Sequence, residues 1–151
     1  MIQEAKIEES ALLTEIALIS KAYWGYSKEQ VESWRKDLTI SVKMIEEMMI
    51  YTFVQETNVV GFYALNPPVE QSIELEMLFV LPNYIGKSIG KQLLLHSFNE
   101  AKKFDVDEMT LLADPNAVSF YKKQGFEIIA KKESSIPNRY LPIMRKKLSR
   151  R

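Results

Sequence analysis

The amino-acid sequence predicts a mixed α/β fold, a central sheet covered by helices, on three observations. Segments with strand and helix patterns follow one another as βααα, then βββ, then αβαββ, an order that neither strict β/α alternation nor an all-β fold accommodates. An unbroken apolar run, Met77-Leu78-Phe79-Val80-Leu81, reads as a strand buried on both faces and leads into the best amphipathic helix pattern of the chain. Finally, a length of 151 residues, 46% of them hydrophobic, suits one core. No repeat, low-complexity stretch or Gly/Ser-rich linker divides the chain, so residues 1–151 are expected to form a single domain.

Each element has its own signal. A short strand is expected near residues 5–8. Ser10 can cap a helix whose Leu12, Leu13, Ile16, Ile19 and Ala22, three and four apart, give one apolar face. Further helical patterns cover residues 27–38 and 42–48, with Tyr23, Trp24, Tyr26 and Trp34 readable either as core or as an aromatic substrate wall. Two β-rich segments, 50–55 and 59–65, flank the turn-like Glu56-Thr57-Asn58 and are expected to pair as a hairpin. Residues 73–81 form the next strand. A helix over 88–104 gathers Gly90, Leu93, Leu94, Ser97, Ala101 and Phe104 on one side, with His96 as a surface residue and Leu95 off the core face. A strand over 108–113, a helix over 116–124 ended by Gly125, and strands over 126–130 and 141–148 complete the chain.

Composition narrows the chemistry. Twenty basic residues balance twenty acidic ones, so no whole-protein field favours nucleic acid or an anionic membrane, and any anion site must be local. Without cysteine there is no disulfide framework, thiolate zinc site or cysteine nucleophile. His96, the one histidine, has no second imidazole beside which to bind a metal, and no metal is expected. Residues 1–10 lack the continuous apolar stretch of a signal peptide, and no run approaches the ~20 residues of a membrane span. A soluble cytoplasmic protein, monomer or homodimer, is expected.

The segment Pro82-Asn83-Tyr84-Ile85-Gly86-Lys87-Ser88-Ile89-Gly90-Lys91 joins a buried strand to a long helix, where free backbone N–H groups and the helix dipole favour an anion. It is not a nucleotide P-loop, because Leu81 stands where that motif needs its first glycine. Nor is it a dinucleotide fingerprint, since Gly86 and Gly90 do not supply three glycines.

The stretch ELEMLFVLPNYIGKSIGKQLL resembles the acyl-CoA-binding core of the GCN5-related N-acetyltransferase (GNAT) superfamily. On the pattern Q/R-x-x-G-x-G/A, Ile85 takes the Gln/Arg position, Ser88 the first glycine and Gly90 the second, so two of the three signature positions depart from it. Downstream, ADPNAVSFYKKQGFE is similar to N-P-x-A-x-x-F-Y-x-x-x-G-F, with Asp114 where asparagine is usual. The resemblance implies a mostly antiparallel sheet with flanking helices and a splayed strand pair. The pantetheine arm of acetyl-CoA would add to the backbone of Leu78, Phe79 and Val80. The amides of Gly86, Lys87, Ser88, Ile89, Gly90 and Lys91 would hold its pyrophosphate. Asp114 and Asn116 would contact the pantetheine arm or only cap their helix.

The implied reaction is acetyl transfer from acetyl-CoA to an amine of unknown identity, a small molecule or a peptide. An alkylammonium of pKa ~10.4 must first lose a proton. Glu76 matches the general-base position of some family members, with Glu74, two residues before it on the same strand face, as second choice; either can equally face solvent. Beside the apolar run, a carboxylate base would be desolvated into a useful range. Tyr121 is implied as the acid that meets the departing thiolate, and a main-chain N–H near Phe79 or Val80 as the oxyanion donor. Arg139 can reach an acidic substrate group or be a solvated turn residue. The alternative from another class is a non-catalytic acyl-CoA sensor or protein-interaction module on the same fold, favoured by Ile85 and Ser88.

Overall fold

The computed structural model describes residues 1–137 and 139–148. In chain order it contains β1 (Ile2–Glu4), α1 (Ser10–Ala22), α2 (Lys28–Ser33), α3 (Arg35–Leu38), α4 (Val42–Glu47), β2 (Met49–Gln55), β3 (Asn58–Leu65) and β4 (Ser72–Val80). Then come α5 (Ile89–Ala101), β5 (Glu108–Leu112), α6 (Val118–Lys123), β6 (Glu127–Glu133) and β7 (Tyr140–Lys147). The strands make one seven-stranded sheet in the order β1-β2-β3-β4-β5-β7-β6. Every neighbouring pair is antiparallel except β4 with β5. The expected mixed, mostly antiparallel sheet with flanking helices is what the chain forms.

A helix layer covers each face. On one, Leu93, Leu94, Phe98 and Ala101 of α5 pack against Tyr63, Leu65, Ile73, Leu75, Met109 and Leu111. On the other, Leu13, Ile16 and Ala17 of α1 and Val31 of α2 pack against Ile50, Phe62, Ala64 and Met77. Leu93 and Leu94 are completely buried, and truncating such a leucine to alanine typically costs about 2–5 kcal/mol. The helix starts follow local chemistry: Ser27 and Ser41 accept from the backbone N–H groups of Gln30 and Met44 and so cap α2 and α4. No described helix is long and apolar enough to cross a membrane.

Several sequence expectations need correction. The first strand lies at Ile2–Glu4, while Ile7–Glu9 form a 3-10 turn closed by the Lys6 N–H donating to the Glu9 carboxylate. The buried face of α1 is rotated, so Leu12 and Ile19 are exposed while Thr14 and Ser20 are buried. Apolar periodicity cannot foresee this, because both hydroxyls are buried with partners: Thr14 Oγ1 accepts from the Ile40 N–H, and Ser20 Oγ donates to the Val80 carbonyl. Ser10 does not cap α1; its hydroxyl donates to the Ile40 carbonyl. The helix expected over 27–38 breaks into α2 and α3 at Trp34. Phe104 lies beyond the end of α5 and is exposed, with Phe98 buried instead. His96 is not a free surface residue: its Nδ1 lies 2.7 Å from the Tyr63 hydroxyl and its ring 4.7 Å from that of Tyr51.

Candidate active site

The site starts as a failure of strand pairing. β4 and β5 pair only over Ser72–Leu75 and Glu108–Leu111, whereas β4 stays paired with β3 as far as Val80. The two central strands therefore part beyond Leu75 and Leu111, and the space between them is the floor of a cleft of about 620 Å³. Residues 75–80 line one side of it and Leu111, Leu112, Ala113 and Asp114 the other.

A bulge lies at the same place. Ala64 pairs with Met77 and Leu65 with Leu75, so Glu76 is the extra residue. Ile73 and Leu75 before it pack with the α5 layer, whereas Met77 after it packs with the α1 layer. The register above the bulge decides which main-chain groups are available. The Leu81 N–H donates to the Val60 carbonyl, and antiparallel partners alternate. Phe79 therefore points its N–H and C=O at β3, while Leu78 and Val80 point theirs to the open side. Of the three positions expected to bind a pantetheine arm, Phe79 is thus committed to the sheet. The Val80 carbonyl already accepts from Ser20 Oγ at 3.2 Å, which confirms its direction.

Above the cleft, Pro82–Tyr84 form a 3-10 turn, and the chain enters α5 through Gly86 at φ 86° and Ser88 at φ 65°. Both are left-handed conformations that suit glycine, so Ser88 holds a strained angle as well as a place near the helix end. Gly86, Ser88, Ile89, Gly90 and Lys91 all line the cleft. Ile89 is the first residue of α5 and has a buried side chain. A Cβ on Gly90 would meet Phe120 and Val80 at ordinary contact distances, so packing within the chain does not demand this glycine. The Lys87 ammonium lies 5.3 Å from the centre of the Tyr84 ring. The chemistry of this cradle, N–H donors at a helix start beside two lysines, fits a pyrophosphate.

Asp114 takes the capping alternative and is also held by two cations and a phenol. Its Oδ1 accepts from the backbone N–H and side-chain amide of Asn116, both at 2.9 Å, which caps the turn before α6. Its Oδ2 accepts from Lys21 at 2.6 Å, from the Tyr26 hydroxyl at 2.9 Å, and from Arg139 at 3.4 Å. Burial alone would raise its pKa, but the bonds from Lys21, Asn116 and Tyr26 outweigh burial and hold it below the usual carboxylate range. The side chain is therefore saturated by the protein. Arg139 is neither a solvated turn residue nor a free substrate anchor, since it also donates to Tyr26. Desolvation first, then the bond to Asp114, pushes the Tyr26 phenol up to about 12. Trp34 packs edge-on against Tyr26 and donates to Ser135, and Trp24 alone of the four aromatic candidates lines the cleft.

Tyr121 is buried, lines the cleft, and has its pKa raised by desolvation. Glu76 also lines the cleft, and Glu74 does not. Both carboxylates are exposed, and Glu76 is not buried beside the neighbouring apolar run. A residue overlooked in the sequence, Asn66, donates its side-chain amide to Glu74 at 2.9 Å and to Glu76 at 2.8 Å. Its only advance signal is its place before Pro67-Pro68, at the end of a hairpin strand. Ser20 and Lys21 were also overlooked; they carry no motif and matter only because α1 ends over the cleft.

Comparison with known proteins identifies the relatives of this chain. Residues 24–144 match the acetyltransferase (GNAT) domain family. A spermidine N(1)-acetyltransferase of Thermoplasma acidophilum is 32% identical, the match covering 84% of this chain and 88% of that protein. The crystal structure of PaiA N-acetyltransferase from the same organism, in complex with coenzyme A, superposes with a TM-score of 0.84 at 28% identity, covering 97% of this chain and 98% of the other. The ribosomal-protein-S18-alanine N-acetyltransferase of Escherichia coli, at 18% identity and a TM-score of 0.74 over 99% of this chain and 94% of its own, shares the fold.

Proposed function

The chain belongs to the GNAT acetyltransferase family, and from that premise we propose that its acceptor is a polyamine and that Glu76 is the general base. The protein is an N-acetyltransferase that moves the acetyl group of acetyl-CoA to an amine. Use of that donor accords with a cytoplasmic setting.

The observation that carries the reading is the pair of exposed carboxylates, Glu74 and Glu76, joined through Asn66 where β4 leaves β5. Side chains two apart on a strand lie about 6–7 Å from each other on one face. One carboxylate can thus take the proton of the reacting nitrogen while the other pairs with the next ammonium of the same chain. The similarity to a spermidine N(1)-acetyltransferase supports this acceptor class. Asp37 also lines the cleft and adds negative charge to it.

The roles of the other residues follow from where their groups lie. The N–H groups of Leu78 and Val80, on the open side of β4, are available to the cofactor amide and to the oxyanion of the tetrahedral intermediate. The N–H groups from Gly86 to Lys91 would face the pyrophosphate. Collapse of the intermediate breaks the C–S bond, and the thiolate leaves beside Tyr121. A thiol of pKa ~8.5 is a stronger acid than this phenol, so Tyr121 keeps its proton and stabilises the sulfur by donating a hydrogen bond.

Thiol release from acetyl-CoA, measured with spermidine, simple diamines, amino acids, aminoglycosides and peptide N-termini, tests the acceptor. The expected result is turnover of polyamines well above all other classes, with the acetylated amine identified by mass. Turnover of a peptide or amino acid without any polyamine activity would replace this acceptor reading.

A further inference from the structure

We propose that Asn66 is a positioning residue for acetyl transfer: it fixes the Glu76 carboxylate at the cleft and holds Glu74 beside it. The inference rests on the reading of Glu76 as the base and adds the device that aims it.

Two features hold Asn66 in place, and a third sets where Glu76 lies. The Asn66 backbone N–H donates to the Glu74 carbonyl at 2.9 Å, so the residue is tied to β4 through its main chain before its side chain is considered. Pro67 and Pro68 follow immediately and restrict the backbone at and after Asn66. Glu76 is the unmatched residue of the bulge, so its backbone direction is set by the local register and not by a regular ladder.

The side-chain chemistry then has one solution. Both partners are carboxylate oxygens, which only accept, so the amide nitrogen must be the group between them. Its two hydrogens serve one carboxylate each. Without it, two like charges on one strand face would turn away from each other and from the cleft. A bare carboxylate on an exposed strand has many rotamers, and only those that reach the cleft can take a proton from a bound amine. Asn66 selects among them. The other charged groups that line the cleft, Lys21, Asp37, Lys91 and Asp114, come from α1, α3, α5 and the end of β5, and Lys21 is bound to Asp114.

The test uses the intact protein, acetyl-CoA, and spermidine as acceptor, with melting curves to verify folding of each variant. Glu76→Gln alone establishes whether Glu76 is the base. Asn66→Ala should lower kcat roughly five- to fiftyfold, as misplaced catalytic groups do, while the KM for acetyl-CoA stays within about twofold. Asn66→Asp keeps the shape but replaces the donor with a third acceptor, and it should lose at least as much kcat as the alanine variant. In the double variant, Asn66→Ala should lower kcat by less than about twofold beyond Glu76→Gln alone, because Asn66 acts through Glu76. Wild-type kcat in Asn66→Asp, or effects that multiply in the double variant, would overturn the positioning role while leaving the base intact. Wild-type turnover in Glu76→Gln would remove the base and this inference together.

Discussion

Leu75 and Leu111 are the last partners of the parallel ladder between β4 and β5, and the cleft opens where their pairing ends. Neighbouring residues at the end of α1 reach the two arms of that opening. Ser20 donates to the Val80 carbonyl on one side, and Lys21 binds Asp114 on the other. The width of the cleft is thus set by a helix end as well as by the sheet.

Ser88 sits at φ 65° where the family pattern has glycine. A non-glycine residue there costs about 1–2 kcal/mol, and a glycine loses about 0.5–1 kcal/mol through its freer unfolded chain. Ser88→Gly should therefore leave stability equal or up to about 1 kcal/mol higher and keep or improve affinity for coenzyme A. Ser88→Val, branched at Cβ, should lower both. Thermal denaturation and calorimetry with coenzyme A measure the two effects, and a valine variant with unchanged affinity would move the pyrophosphate away from this turn.

Asp114 gives an acid-dependent stability. Its folded-state pKa lies below its unfolded value of ~3.9, so its contribution is complete above that pH and is lost as pH falls through the folded value. Asp114→Asn leaves Lys21 and Arg139 without their shared carboxylate and should cost about 2–4 kcal/mol at pH 7. The difference from wild type should shrink below pH ~4. Denaturant titrations at neutral and acid pH check this, and a gap that does not change with pH would mean that the ion pairs contribute little.

Tyr121→Phe preserves the ring in its buried site and should change stability by less than about 1 kcal/mol. It removes the hydrogen bond proposed to the leaving sulfur, so kcat should fall roughly ten- to a hundredfold without recovery at alkaline pH. Lower stability with unchanged kcat would assign the tyrosine to packing.

Much of the lining of this cleft was legible in the sequence because its signals are local. The apolar run at 77–81, the turn with Gly86 and Gly90, and the Tyr121 segment each encode their place in a stretch of adjacent residues. What escaped depends on contacts between distant segments. The bulge at Glu76 appears only when the β3 and β4 registers are compared, and it leaves Phe79 facing the sheet. Asn66 acts across a hairpin on Glu74 and Glu76, and Asp114 is saturated by Lys21, Tyr26 and Arg139, from α1 and two loops. Burial of Thr14 and Ser20 was hidden because their hydroxyls find carbonyl and N–H partners elsewhere in the chain. A polar residue reads as exposed until those partners are known.

The proposed seat of acetyl-CoA between the parted strands is tested most directly by amide hydrogen exchange, read residue by residue with and without coenzyme A. The register makes a distinct prediction for three consecutive amides, because only alternate residues of β4 point their N–H groups to the open side. Coenzyme A should slow exchange strongly at Leu78 and Val80, and at the amides from Gly86 to Lys91, while Phe79, already bonded to β3, changes little. Protection confined to other parts of the chain, with Leu78 and Val80 unaffected by saturating coenzyme A, would contradict the proposed binding mode.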